Sequence, residues 1–131
     1  MNVSNYLAVA LLNQVFRNQA YTRPATVYLA LYTTNPTAAD TGTEVSGGAY
    51  ARQPITFGAP VVDSGKQTIK NSAQIQFPVA TADWGTITHV GIRDALTGGN
   101  LLYHGPWSAP RTILTGDRFV IMVDNGVLRL S

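Results

Sequence analysis

Ile69-Lys70-Asn71-Ser72-Ala73-Gln74-Ile75-Gln76-Phe77 carries the clearest period in the sequence. Ile69, Ala73, Ile75 and Phe77 fall on one side of an extended chain, and Lys70, Ser72, Gln74 and Gln76 on the other. Successive side chains of a strand point to opposite faces, so this alternation describes a strand with one face in a core and one in water. Half-exposed strands are the mark of antiparallel sheets, because parallel strands are covered on both faces. The fold is therefore expected to rest on antiparallel β structure.

The flanking sequence reads the same way. Residues 26–33 (Thr-Val-Tyr-Leu-Ala-Leu-Tyr-Thr) are dense in β-branched and aromatic side chains and predict a strand buried on both faces. Residues 49–57 resume as a strand, but Pro54 lacks a backbone donor and sends it to an edge or a bulge. Residues 86–93 and 100–104 follow, with Thr97-Gly98-Gly99-Asn100 as a hairpin-type connection. Residues 118–123 and 127–130 flank Asp124-Asn125-Gly126, whose Asn-Gly pair predicts a hairpin turn. About eight strands result, and they predict a mostly β protein: an antiparallel β-sandwich, jelly-roll-like, with one N-terminal α-helix. Its core is expected to hold Ile69, Ile75, Phe77, Phe119 and Ile121.

The helix is predicted over residues 4–18, within an N-terminal segment 1–20, with Ser4 as its N-cap and Leu7, Leu11 and Val15 at four-residue spacing. The third position after Ser4 is Leu7, so the capping box is incomplete. Thr22-Arg23-Pro24 stops any continuation. Leu7, Val9, Leu11, Leu12, Val15 and Phe16 spread over an arc of about 200°, wider than one contacting face needs. No charged side chain precedes Arg17. One side of the helix is expected on its own sheet and the other on a neighbouring subunit, which makes Leu7, Leu12 and Phe16 candidate interface residues.

With 131 residues the chain is expected to form a single domain, residues 1–131. Charged residues amount to 12%, about half the usual share, and apolar residues to 45%. The net charge of +2 is too small for a binder driven by phosphate neutralisation, so no nucleic acid is expected. The longest apolar run, residues 7–12, falls far short of the roughly 20 residues that span a bilayer, and no membrane partner is expected. Without basic residues ahead of that run, no secretory signal is read. Zero cysteines exclude disulfides and thiolate metal sites. A sparsely charged surface resists association poorly, and interface cores are themselves depleted of charge.

Catalytic chemistry finds little purchase. His89 and His104 lack the converging ligands of a metal site and read as structural. Ser46, His89 and Asp94 make a triad only on paper, since no Gly-x-Ser-x-Gly motif supports it. Glu44 is the single glutamate, and with Asp40 it lacks the alternating acids of a calcium loop. Gly47-Gly48 leads into a strand rather than a phosphate-cradling helix. No catalytic, cofactor-binding or metal-binding residue is assigned, no cofactor is expected, and the protein is read as not an enzyme. Residues 35–48, by contrast, are long and polar for a connection inside a domain, as contacting loops are. This loop is expected to be mobile in isolation and to touch a neighbour through Asn35, Thr37 and Glu44. Trp107, beside Pro106 in an expected turn, is a further candidate contact.

Three strings carry a likeness. They are residues 27–37 (Val-Tyr-Leu-Ala-Leu-Tyr-Thr-Thr-Asn-Pro-Thr), residues 42–52 (Gly-Thr-Glu-Val-Ser-Gly-Gly-Ala-Tyr-Ala-Arg), and residues 82–92 followed by 98–105. Together with Ser4-Asn5-Tyr6-Leu7, they resemble a family of small tailed-bacteriophage virion proteins over nearly the whole chain. Members are commonly labelled tail fibre proteins, and similar small β-domains serve as capsid cement or head-decoration proteins. The resemblance implies a virion structural protein, first of all a cement protein on the capsid surface that bridges capsomers. Its implied partners are the major capsid protein and copies of itself, up to a homotrimer. The alternative is a tail or tail-fibre component, and a carbohydrate-binding β-domain ranks last.

Overall fold

Residues 1–130, which the computed structural model describes, form β1 (Asn2–Val3), α1 (Asn5–Phe16), β2 (Val27–Tyr32), β3 (Gln53–Ile55), β4 (Val61–Asp63), β5 (Lys66–Lys70), β6 (Ile75–Gln76), β7 (Gly85–Arg93), β8 (Leu101–Ile113), β9 (Val120–Ile121) and β10 (Val127–Leu130). Strand accounts for 40% of the chain and helix for 9%. The sheets have the orders β1-β8-β7-β2-β3, β10-β5-β4 and β6-β9, and every pairing is antiparallel. The mostly β, antiparallel reading with one N-terminal helix holds.

The hairpin of β7 and β8 is the spine. β2 lies along its β7 side, from Tyr28 opposite Arg93 to Tyr32 opposite His89. Leu29, Ala30, Leu31 and Tyr32 are all buried, as a strand covered on both faces requires. Leu29 and Leu31 join Val90, Ile92 and Tyr103 in the main core, whereas Ala30 and Tyr32 meet Leu101 in a second, small cluster. Pro54 sits in edge strand β3, where its missing donor costs no ladder bond. Ile75, Phe77, Phe119 and Ile121 are at most 4% exposed and close the main core from the small sheets. Ile69 is only half-buried at its margin.

Three local expectations are corrected. The strand expected over residues 69–77 is two, β5 and β6, in different sheets. The break is at Asn71, which is fully buried. Its Nδ2 donates to the carbonyls of Ala73 (2.9 Å) and Met122 (3.1 Å), and its Oδ1 accepts from Gly126 N (2.8 Å). A side chain there replaces the ladder that the alternation implied. Nor does Asn125-Gly126 close a hairpin, since β9 pairs with β6 and β10 with β5. The turn lies earlier, with Asp124 at φ 70° and Asn125 N donating to Met122 O at 3.2 Å. Gly126 instead runs against Asn71, where a Cβ would stand 3.3 Å from Oδ1. Finally, the strand expected over 100–104 extends to Ile113. Residues 107–110 bulge from it, because His89 faces Pro106 while Ile87 faces Arg111. Trp107 beside Pro106 was expected in a turn; a bulge within β8 accommodates both Pro106 and Pro110 instead.

Candidate assembly surfaces

α1 is positioned by its first residue. Ser4 Oγ accepts from Leu7 N (3.1 Å) as the N-cap and donates to Leu101 O (2.5 Å), while Ser4 N donates to Leu102 O (2.8 Å). One buried serine thus both starts the helix and bolts it to β8. The helix runs Asn5–Phe16, slightly shorter than the expected 4–18. Leu7 turns inward and packs on the main core. Leu11 borders an apolar crevice of about 240 Å³ shared with Pro60, Ile69, Tyr103, Leu128 and Leu130. The far side is bare: Val9 is 59% exposed, Leu12 57%, Val15 64% and Phe16 78%. Of the three helix residues singled out from the sequence, Leu12 and Phe16 lie on this open face and Leu7 does not.

The 35–48 loop is tied to the rest of the domain by backbone hydrogen bonds. Thr33 N donates to Thr43 O (3.0 Å), Thr41 N to Pro36 O (2.6 Å) and Val45 N to Leu31 O (3.0 Å). Two buried arginines then clamp it to the β7–β8 connection. Arg93 holds both Asp40 carboxylate oxygens (2.8 and 2.9 Å) and donates to Tyr32 Oη (3.0 Å) and Gly99 O (2.9 Å). Arg52 holds both Glu44 oxygens (2.8 and 2.7 Å) and donates to Ala95 O and Gly98 O (2.8 Å each). Asn35 stays exposed, with its Oδ1 accepting from Thr37 N at 2.9 Å, and Thr37 is half-buried. Glu44, half-buried, spends its carboxylate inside the molecule. Polar residues that looked free in the sequence are satisfied by groups about 10 to 50 positions away, which spacing alone does not reveal.

The electrostatics follow from this network. Burial pushes the Glu44 carboxyl up, but the Arg52 guanidinium and a 2.6 Å hydrogen bond from Tyr50 Oη more than offset it, leaving the group below its ordinary range. Tyr50 is driven up by burial and by that same carboxylate. Arg93 is held above its ordinary value by Asp40 and Tyr32 despite its burial.

Trp107 is half-buried rather than presented to solvent, its ring tilted against Phe119 at 5.7 Å between centroids. Trp84 lies in the core and donates from Nε1 to Gly48 O at 2.9 Å. His89 Nδ1 shares a 2.8 Å hydrogen bond with Thr88 Oγ1, and Asp94 accepts from Asn100 N at 2.7 Å, so the paper triad with Ser46 is not assembled. His104 is buried in β8, and burial holds its imidazole below its ordinary value. Among the described residues no three His, Cys, Asp or Glu stand together as a metal site, and no helix is long and apolar enough to cross a membrane.

No curated protein matches the chain. A family model does, that of "Podophage GP4 fiber I protein gp80", over residues 2–129. That match runs from β1 through all but the last residue of β10 and takes in the α1 face, the clamped loop and the β8 bulge alike. The chain belongs to the Podophage GP4 fiber I protein gp80 family of phage virion proteins.

Proposed function

We propose that this protein is a small, non-catalytic component of the fibre apparatus of a short-tailed phage virion, held there by surface contacts. The observation that carries the reading is the family match over residues 2–129, whose description is that of a fibre protein. A virion structural role is the coarser statement on which placement in the fibre builds. What supports assembly rather than turnover is that Arg52, Arg93, Glu44 and Asp40 are engaged in internal clamps, while the outer face of α1 leaves large apolar side chains in water.

Capsid decoration is the second reading, with the major capsid protein and further copies of the chain as partners. One observation favours it, namely that the described residues contain neither repeats nor a shaft with which to reach outward. A short adaptor within the fibre meets the same constraint. The two placements differ in copy number. Quantitative mass spectrometry of purified virions, with immunogold labelling of this chain, is expected to find a small number of copies and label at the tail. Hundreds of copies with label over the head would overturn the fibre reading in favour of decoration.

A further inference from the structure

Asn125 is the one asparagine of the chain that precedes a glycine. A carboxamide followed by glycine is the pair most open to attack by its own main chain, because no Cβ shields the glycine nitrogen. In that reaction the Gly126 amide nitrogen gives its proton to solvent base and bonds to Asn125 Cγ. The Cγ–Nδ2 bond breaks and ammonia leaves. Water then opens the cyclic imide on either side, to aspartate or to isoaspartate. Asn125 is exposed, so water reaches it and ammonia can depart.

The nitrogen that must attack is not free. Gly126 is buried, and its N–H donates to Asn71 Oδ1 at 2.8 Å. Asn71 N donates back to Gly126 O (3.0 Å), Asp124 N donates to Asn71 O (3.1 Å), and Asn71 Nδ2 donates to Met122 O (3.1 Å). Four hydrogen bonds to one fully buried residue therefore fix the segment 122–126 on both sides of the reactive pair. An acceptor on the Gly126 proton opposes its loss. A main chain tied at 124 and 126 also resists the rotation that brings the nitrogen onto Cγ.

We propose that Asn125-Gly126 is a latent deamidation site and that Asn71 is the lock that keeps it closed in the folded protein. The site opens where the 122–126 segment leaves Asn71, by local opening or before the chain has folded. The lock acts within the chain and does not depend on placement in the fibre or on the capsid. The two products differ in consequence. Aspartate changes only an exposed side chain, whereas isoaspartate adds a main-chain atom between β9, which pairs with β6, and β10, which pairs with β5. The two pairings then cannot both keep their register.

Peptide mapping by mass spectrometry, with enzymatic detection of isoaspartate, reads the conversion after storage in warm, mildly alkaline buffer. Folded wild type is expected to convert Asn125 at least roughly tenfold more slowly than the same chain in urea, because the reaction waits on opening. Asn71→Ala removes Oδ1 and leaves the main-chain bonds. Still folded by circular dichroism, it is expected to convert roughly tenfold faster than wild type. Ile87→Ala, a cavity in the main core that leaves every Asn71 bond in place, is expected to stay near the wild-type rate. Equal rates for folded and unfolded wild type, a folded Asn71→Ala at the wild-type rate, or equal acceleration in both variants overturns the lock. Should Asn71→Ala unfold, amide hydrogen exchange on the wild type decides. The Gly126 N–H is expected to exchange slowly, and its exchange and Asn125 conversion to rise together as urea is added below the unfolding transition. Exchange at the rate of an unstructured amide, or conversion that does not follow it, overturns the proposal.

Discussion

Asn71 shows how much one side chain decides in this protein. Its amide satisfies Gly126 N–H and the carbonyls of Ala73 and Met122 where the long ribbon of β5–β6 against β10–β9 breaks. Asn71→Ala is expected to cost about 3 kcal/mol in urea unfolding, since it leaves buried polar groups without partners. A loss under roughly 1 kcal/mol would mean that water or a slipped register replaces the amide. Glu44 gives the pH counterpart. Its carboxyl is depressed in the folded state, so its stabilisation is present above the unfolded value of 4.5 and is lost as pH falls through the lower folded value. Wild-type stability is therefore expected to drop below about pH 4.5. Glu44→Gln is expected to be less stable at neutral pH and to lose less on acidification. Parallel pH profiles for the two proteins would show that the Arg52 clamp carries no such linkage.

The loop and the helix respond in opposite ways to tertiary context. Residues 35–48 have the composition of a free contacting loop, yet Asp40 and Glu44 are claimed by Arg93 and Arg52. Deleting residues 37–43 is therefore not silent. It strips Arg93 of its carboxylate and is expected to cost about 2 kcal/mol in a denaturant melt, less than the roughly 3–5 kcal/mol of a fully buried pair, because Asp40 is 36% exposed. An unchanged midpoint would show that Tyr32 and the Gly99 carbonyl suffice for that guanidinium. α1, for its part, was legible as an apolar helix too wide-faced for one contact, and its outer half is uncovered. Which apolar residue belonged to which side required β8, because the arc of side chains is nearly continuous and only the position of the sheet divides Leu7 from Leu12.

At the scale of the molecule, all three sheets contribute to one main core: Leu31 and Ile92 from the large sheet, Leu128 from the second, Ile75 and Ile121 from the third. Unfolding is accordingly expected to be a single transition, with Trp84 fluorescence and far-ultraviolet circular dichroism tracing the same curve. Non-coincident curves would show that the small sheets melt apart from the β7–β8 spine. The sequence by itself determined the antiparallel β class, the doubly buried β2, the exclusion of Pro54 from a central ladder, the Ser4-capped helix and the core places of Ile75, Phe77, Phe119 and Ile121, because alternation, proline chemistry and capping are properties of neighbouring residues. Tertiary structure alone decided the partners of β9 and β10, the break at Asn71, the bulge in β8 and the arginine clamps on the long loop. Each of these depends on groups far apart in the chain meeting in space: an amide filling the place of a ladder, or a guanidinium finding a carboxylate. A local Asn-Gly signal, worth little against the burial of Ile121 and Leu128, yields to that competition.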